Sequence, residues 1–325
     1  MSELFIKQEL IKSLGQVDAL ILDIDGVVLD VSQSFRVVAA ETVQYYATQV
    51  LKLADTGPLF ESSETELFKM AGGFNSDWDL TNAAVALVVA KHAQSGAEDT
   101  LALREQEPPW SEYTEAIKRR GGGLAVAEAV LLDILTPAQR RDFARNWNPK
   151  LVTQIFQEMY AGDESCRALY GFEPQHIHGE PYYKREKVML DAALLPKGLK
   201  IGVVTGRTRA ETRLALKMAG LTNRIPEKHW VTEDDGLRKP DGRTMLRLRE
   251  NMEFRHGIYV GDTVDDHKTV VNYRELKGAG KAKIVACTSL SGPSGDAHRR
   301  LFLEAGAEII TPDVNSLLQF LNQVL

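Results

Sequence analysis

The run LILDIDGVVLD, Leu20 to Asp30, has the apolar density of a strand buried on both faces, yet it contains Asp23 and Asp25. Charge inside such a strand is expensive unless it is paired or holds a metal. A chain carrying this run must therefore cover both faces of a sheet. It must also bring counter-charge to one strand end.

The rest of the chain offers the covering elements. Residues 17 to 29 read as a strand. From about Ser34 to Leu190 the pattern is almost wholly helical. From Leu199 onward, apolar runs (LKIGVVTG, HWVT, GIYVGD, KIVACTS, EIITPD) alternate with helical stretches. Those helices are expected from about Arg209 to Ala219, after Pro240, after Asp265, near His298 and at the C-terminus. Strands alternating with helices imply a parallel sheet covered on both faces. The expectation is one α/β domain, residues 1–31 plus 181–325, with a Rossmann-like parallel sheet. An all-helical insertion, residues 32–180, interrupts it after the first strand.

Helix punctuation in the insertion is frequent. Ser63 with Glu66 fits a capping box, and Gly72 stands where that helix would end. Ser76 with Asp79 precedes the apolar stripe Ala83 to Ala90, which reads as helix packing. Pro108-Pro109 and Gly121-Gly122-Gly123 break the chain. Thr136-Pro137 and Asn148-Pro149 open further helices, the second running through Tyr160. Trp78 and Trp110 read as core of the insertion.

Composition limits the partners. The 325 residues are 44% hydrophobic and 26% charged, with a net charge of -6 and no dominant basic block, so nucleic acid is not an expected partner. The longest apolar run, Ala83 to Ala90, falls short of the about 20 residues a membrane span needs, so no membrane is expected either. The start MSELFIKQELIKSLGQ contains acids and does not read as a signal peptide. Cys166 and Cys287 lack metal or disulfide spacing, which suits a cytoplasmic location.

In open parallel sheets, ligands bind beyond the carboxyl ends of the strands. Those ends carry Asp23 and Asp25, Thr205, Lys239, and Asp262, Asp265 and Asp266. These residue types fit phosphoryl transfer. A carboxylate can attack phosphorus and divide one hard step into two. Two anions repel, so a divalent cation has to bridge them, and aspartate oxygens suit magnesium. Thr205 offers a hydroxyl and Lys239 a compact cation for the phosphoryl oxygens. Thr208 with Glu211 forms a capping-box pattern, which places a helix N-terminus near the phosphate. Asp30 reads as a turn residue, and His267 as exposed at a helix start.

The motifs DIDGVVLD, VVTGR, the lysine of RKPDG, and GDTVDD occur in this order. In that respect the chain resembles the haloacid dehalogenase-like (HAD) hydrolase superfamily, in its subfamily IA phosphatase branch. The resemblance covers residues 17–31 and about 195–325. It implies that Asp23 is the nucleophile and a metal ligand. Asp25 would be general acid and then general base, with its backbone carbonyl on magnesium. Thr205 and Gly206 would hold the phosphoryl oxygens, and Lys239 would pair with Asp23 and the phosphate. Asp262 and Asp266 would complete the magnesium site, with Asp265 as the adjacent alternative. Relatives often have a second proline two residues beyond the one in KP; here Pro240 is still expected to start a helix. Dehalogenases of the superfamily lack the second acid, because a halide leaves without a proton. Asp25 therefore favours an alkoxide leaving group.

The resemblance also implies that the helical insertion is a cap closing over the active site, and a large one. Its AGGFNSDWDLT piece is similar to a subgroup of these hydrolases found in cyanobacteria, haloarchaea and plants. Lys69, Arg119 and Arg120 lie at cap-loop positions suited to reading a substrate. The expected function is a magnesium-dependent phosphatase acting on a small phosphorylated metabolite through an aspartyl phosphate. A phosphosugar mutase of the β-phosphoglucomutase kind uses the same core and stays open. So does a binding or scaffold protein that kept the fold without the chemistry.

Overall fold

The computed structural model describes residues 4–292, 295 and 299–325. The chain forms two compact units, residues 1–31 with 187–325, and residues 32–186. The second boundary lies at Glu186/Lys187, beyond the expected 180/181. The reason is local: Glu186 is buried and accepts hydrogen bonds from Ser34 and Tyr160. The turn Tyr182–Arg185 sets Tyr183 against the Tyr160 ring.

The first unit is an α/β sheet structure. Its strands are β1 (Phe5–Ile6), β2 (Ala19–Leu22), β3 (Leu29–Asp30), β4 (Lys187–Val188), β5 (Lys200–Val204), β6 (Trp230–Val231), β7 (His256–Gly261), β8 (Lys283–Ser289) and β9 (Ile309–Thr311). Among the described residues, seven form one sheet in the order β1-β9-β8-β7-β2-β5-β6. All neighbours are parallel except β1, which pairs antiparallel with β9. The expected first strand, β2, is therefore preceded by an edge strand at the far side of the sheet. Chain order reverses across β2, with β5 on one side and β7 on the other. That is the switch point where the strand ends leave a crevice.

Alternation sets the two faces. Ala19 and Ile21 face a core shared with Val204, Val231 and Tyr259, covered by Met245, Leu248 and Met252 of helix Arg243–Met252 and Val270 and Tyr273 of helix Val264–Arg274. Helix Arg209–Met218 buries Thr212, Ala215 and Leu216. The expected helix near His298 is described from Arg299 to Glu304, and His298 itself lies outside the described residues.

Two sequence expectations fail at β2. The strand does not run to residue 29. It stops at Leu22, because the backbone N–H groups of Val28 and Leu29 turn back to the carbonyl of Ile24 (2.8 and 2.9 Å). Gly26 makes the turn at φ +73°. Asp30 is not a turn residue either; it pairs with Lys187 in the β3/β4 ladder.

The second unit is built from helices around the central helix Asp77–Ser95, whose residues Leu80 to Lys91 are all buried. A helix apolar on every side has neighbours on every side. Here they are Phe35–Tyr45, Leu124–Ile134, Pro137–Asn146 and Pro149–Tyr170. The caps expected at Ser76, Thr136 and Asn148 each accept a backbone N–H of the first turn. The capping box expected at Ser63/Glu66 is instead Glu61/Glu64, ahead of helix Thr65–Ala71, and Glu66 pairs with Arg36. The last helix continues past Tyr160 to Tyr170, broken at Gly162 (φ +57°). A side chain there would strike the backbone of Gly179 and Pro181, so only glycine lets the chain close. Among the described residues no helix is long and apolar enough to cross a membrane.

Candidate active site

The carboxyl ends of β2, β5 and β7 deliver the chemistry, with Lys239 arriving from the loop after β6. Asp23 follows β2 directly, and its N–H continues the ladder to the Val260 carbonyl (2.9 Å). Its side chain is buried: Oδ1 accepts from the Ile24 N–H (2.7 Å), and Oδ2 accepts from Lys239 Nζ (2.6 Å). Lys239 Nζ also donates to Asp266 Oδ1 (2.6 Å), so one buried ammonium bridges two buried carboxylates.

Electrostatics divide the three groups. Burial pushes the Asp23 carboxyl up to about 7, with Lys239 opposing and the charges of Asp266 and Asp25 adding to the rise. Burial alone would lower Lys239, but Asp23 and Asp266 together hold its ammonium above the usual value. Asp266 resists the same burial and stays below the ordinary carboxylate range, held by Lys239, Thr263 and Tyr259.

Asp266 owes this to a full set of donors. Oδ1 takes Lys239 Nζ and the Tyr259 hydroxyl (both 2.6 Å), and Oδ2 takes the Thr263 hydroxyl (2.6 Å) and the N–H groups of Thr263 (3.0 Å) and Asp262 (3.2 Å). A carboxylate presents about four lone-pair directions. Asp266 therefore fixes Lys239 and the Asp262 loop, and joins a metal only by releasing one of these donors. Asp262 is placed differently. A Cβ on Gly26 or on Gly292 would overlap its carboxylate, so two glycines make the slot in which it lies. Ser291 pins that slot by donating to the Gly26 carbonyl (2.8 Å). Oxygen atoms of Asp23, Asp262 and Asp266 lie within 4.8 Å of one another. Oxygen donors at that spacing, with net negative charge, fit a hard divalent cation.

Thr205 is buried at the end of β5, and its hydroxyl accepts the Arg207 N–H (3.2 Å). Gly206 lies between them. The helix that follows has the expected Thr208/Glu211 capping box, and two of its first-turn N–H groups already have acceptors. The Arg209 N–H is taken by Asp234 (2.5 Å) and the Glu211 N–H by Thr208 (3.2 Å). Pro240 does not start a helix; it lies in a turn, its carbonyl held by Asn272 (2.8 Å), and the helix begins at Arg243.

The guanidinium of Arg207 closes on Asp25, Nε at 2.8 Å and Nη2 at 2.7 Å from Oδ1. Sequence reasoning passed over Arg207 although it stands in the VVTGR motif. Tyr259, Thr263 and Gly292 were also missed; an OH-bearing residue facing inward on a strand next to GD was the only signal for the first. His267 is buried rather than exposed, its Nε2 3.1 Å from the Ala305 carbonyl.

The three cationic positions expected to read substrate lie in the helical unit. Lys69 pairs with Asp77 (3.0 Å), Arg120 pairs with Asp133 (2.6 Å), and Arg119 is exposed. Lys69 lies within helix Thr65–Ala71 and Arg119 ends helix Trp110–Arg119, rather than in loops; the loops after the two helices meet backbone to backbone, the Gly123 N–H donating to the Gly72 carbonyl (3.0 Å). Gly73 and Gly122 leave no room for a Cβ at this crossing.

The haloacid dehalogenase-like hydrolase family matches residues 17–272. A phosphonoacetaldehyde hydrolase from Bacillus cereus is 33% identical over 180 residues, 49% of this chain and 64% of that protein. An imidazoleglycerol-phosphate dehydratase from Phytophthora nicotianae is 24% identical over 250 residues, 77% of this chain and 40% of that protein. Both matches span less than two thirds of the relative's own length. Among solved structures, phosphatase Tt82 from Thermococcus thioreducens shares the fold, with a TM-score of 0.59 and 22% identity over 94% of this chain and 98% of that one.

Proposed function

The chain belongs to the haloacid dehalogenase-like hydrolase family, and on that premise we propose that it is a magnesium-dependent phosphatase acting on a small phosphorylated metabolite. The observation that carries this reading is the buried Asp23–Lys239–Asp266 bridge, with a second acid, Asp25, two residues after the first. Magnesium held by Asp23, Asp262 and the Asp25 carbonyl would offset the repulsion between Asp23 and the phosphate. The chain's own residues do the rest. Thr205, Gly206 and Lys239 orient the phosphoryl oxygens. An Asp23 oxygen bonds to phosphorus as the ester P–O bond breaks, and the leaving oxygen keeps that electron pair and takes a proton from Asp25. Asp25 then takes a proton from water, the water oxygen bonds to phosphorus, and Asp23 is released.

The test is a panel of phosphate esters assayed with magnesium, spanning phosphoglycolate, sugar phosphates and nucleotides. Phosphonoacetaldehyde joins it because of the relatives that carry that name. Selective release of phosphate, abolished by Asp23→Asn, is expected. An isomeric phosphate in place of free phosphate would make the chain a mutase. No turnover of any member would leave a binding protein on this fold.

A further inference from the structure

Arg207 is the largest of the fully buried side chains among the described residues, and it meets the one carboxylate to which the proposed function gives the protons. Its Nε and Nη2 both fall on Oδ1 of Asp25. Its backbone is fixed on both sides: the N–H donates to Thr205 Oγ1 (3.2 Å), and the carbonyl accepts from the Glu233 N–H (3.0 Å). Asp25 itself is partly exposed, its side chain retaining 27% of its accessible surface against 1% for Arg207. A rigid buried cation thus grips one oxygen of a reachable acid.

We propose that Arg207 is a positioning residue that holds Asp25 by Oδ1 and so makes Oδ2 the oxygen that exchanges the proton. The inference rests on the reading of Asp25 as general acid and base. In the first half-reaction the Oδ2 proton passes to the leaving oxygen, which also receives the electron pair of the breaking P–O bond. In the second, Oδ2 takes the proton of the attacking water while the acyl-phosphate P–O bond breaks and its electron pair returns to Asp23. Planar guanidinium donors suit this grip better than the single ammonium of a lysine. A carboxylate free to rotate would lose the alignment on which proton transfer depends.

The experiment compares wild type, Arg207→Met, Arg207→Lys, Asp25→Asn and the Asp25→Asn/Arg207→Met double variant, each with magnesium. Each is assayed on an alkyl phosphate, glycerol phosphate, and on 4-nitrophenyl phosphate, whose leaving group departs without an acid. Arg207→Met is expected to lower kcat/KM, which reports the first half-reaction, on the alkyl ester about tenfold or more beyond its effect on the aryl ester. Arg207→Lys should recover part of that loss. In the Asp25→Asn background, Arg207→Met should add nothing on the alkyl ester, because its route of action is already gone. Equal losses of kcat/KM on both esters, or losses that multiply in the double variant, overturn the proposal. If the methionine variant does not fold, the lysine variant carries the same comparison, with a smaller loss of the same selectivity. Wild type without magnesium-dependent turnover overturns the parent phosphatase reading instead.

Discussion

The Lys239 ammonium lies 2.6 Å from Oδ2 of Asp23, and both side chains are almost wholly shielded from solvent. Removing one partner of a buried ion pair strands the other in a poor solvent, which typically costs more than the pair contributes. Lys239→Met leaves Asp23 and Asp266 facing each other with no cation between them. It should lower the stability of the metal-free protein by about 3–5 kcal/mol. Added magnesium should restore part of that loss, by more than it stabilises wild type, because a cation again meets the carboxylates. Urea unfolding with and without magnesium measures both; a variant as stable as wild type in the absence of metal contradicts the arrangement.

Gly292 lies against Asp262 without a positive φ, so alanine strains no backbone there. Its new Cβ overlaps the Asp262 carboxylate and turns it out of its slot. Gly292→Ala should weaken magnesium binding by about tenfold or more while leaving the fold intact. Calorimetric titration of the metal checks this, and unchanged affinity would mean that Asp262 does not hold the ion.

Lys91 is buried in the central helix of the helical unit, and its ammonium donates to the Arg104 carbonyl (3.2 Å) and lies over the Trp110 ring. Burial lowers its ammonium to about 8, with Glu107 opposing. Below pH 8 the lysine is charged in folded and unfolded chains alike, and the folded state carries the full desolvation penalty. Between pH 8 and the unfolded value of 10.5 the unfolded chain binds more protons, so stability contributed at this site rises with pH. Lys91→Met should therefore stabilise the protein at pH 7 by roughly 1–2 kcal/mol. The advantage over wild type should shrink towards pH 10. Denaturant midpoints at pH 7, 9 and 10 decide it: a gap that is constant, or that widens with pH, counts against a charged buried lysine.

Much of the fold was legible because its signals are local. Apolar runs ending in glycine or acid mark β2, β5 and β7, and Ser76, Thr136 and Asn148 mark helix starts by their own hydrogen bonds. Legibility failed where long-range pairing decides. Val27 to Leu29 are as apolar as a strand, but the ladder to β7 ends at Asp23, and these residues fold back on Ile24. Phe5–Ile6 becomes a strand only because β9 offers an edge. At the site, the acids and Lys239 stand in recognisable motifs, whereas Arg207's grip on Asp25 joins residues 182 apart. The glycine slot around Asp262 likewise joins three separate loops, and no spacing along the chain announces it.

The central claim is that Asp23 carries the phosphoryl group between two half-reactions. Asp25→Asn offers a direct view of it. With 4-nitrophenyl phosphate the first half needs no acid, while the second lacks its base, so the intermediate should accumulate. Acid-quenched Asp25→Asn, taken after mixing with this ester and magnesium and digested for mass spectrometry, should show one phosphoryl group on the peptide containing Asp23. Nitrophenol release with an unmodified Asp23 peptide, or with the phosphoryl group on another residue, would contradict the account.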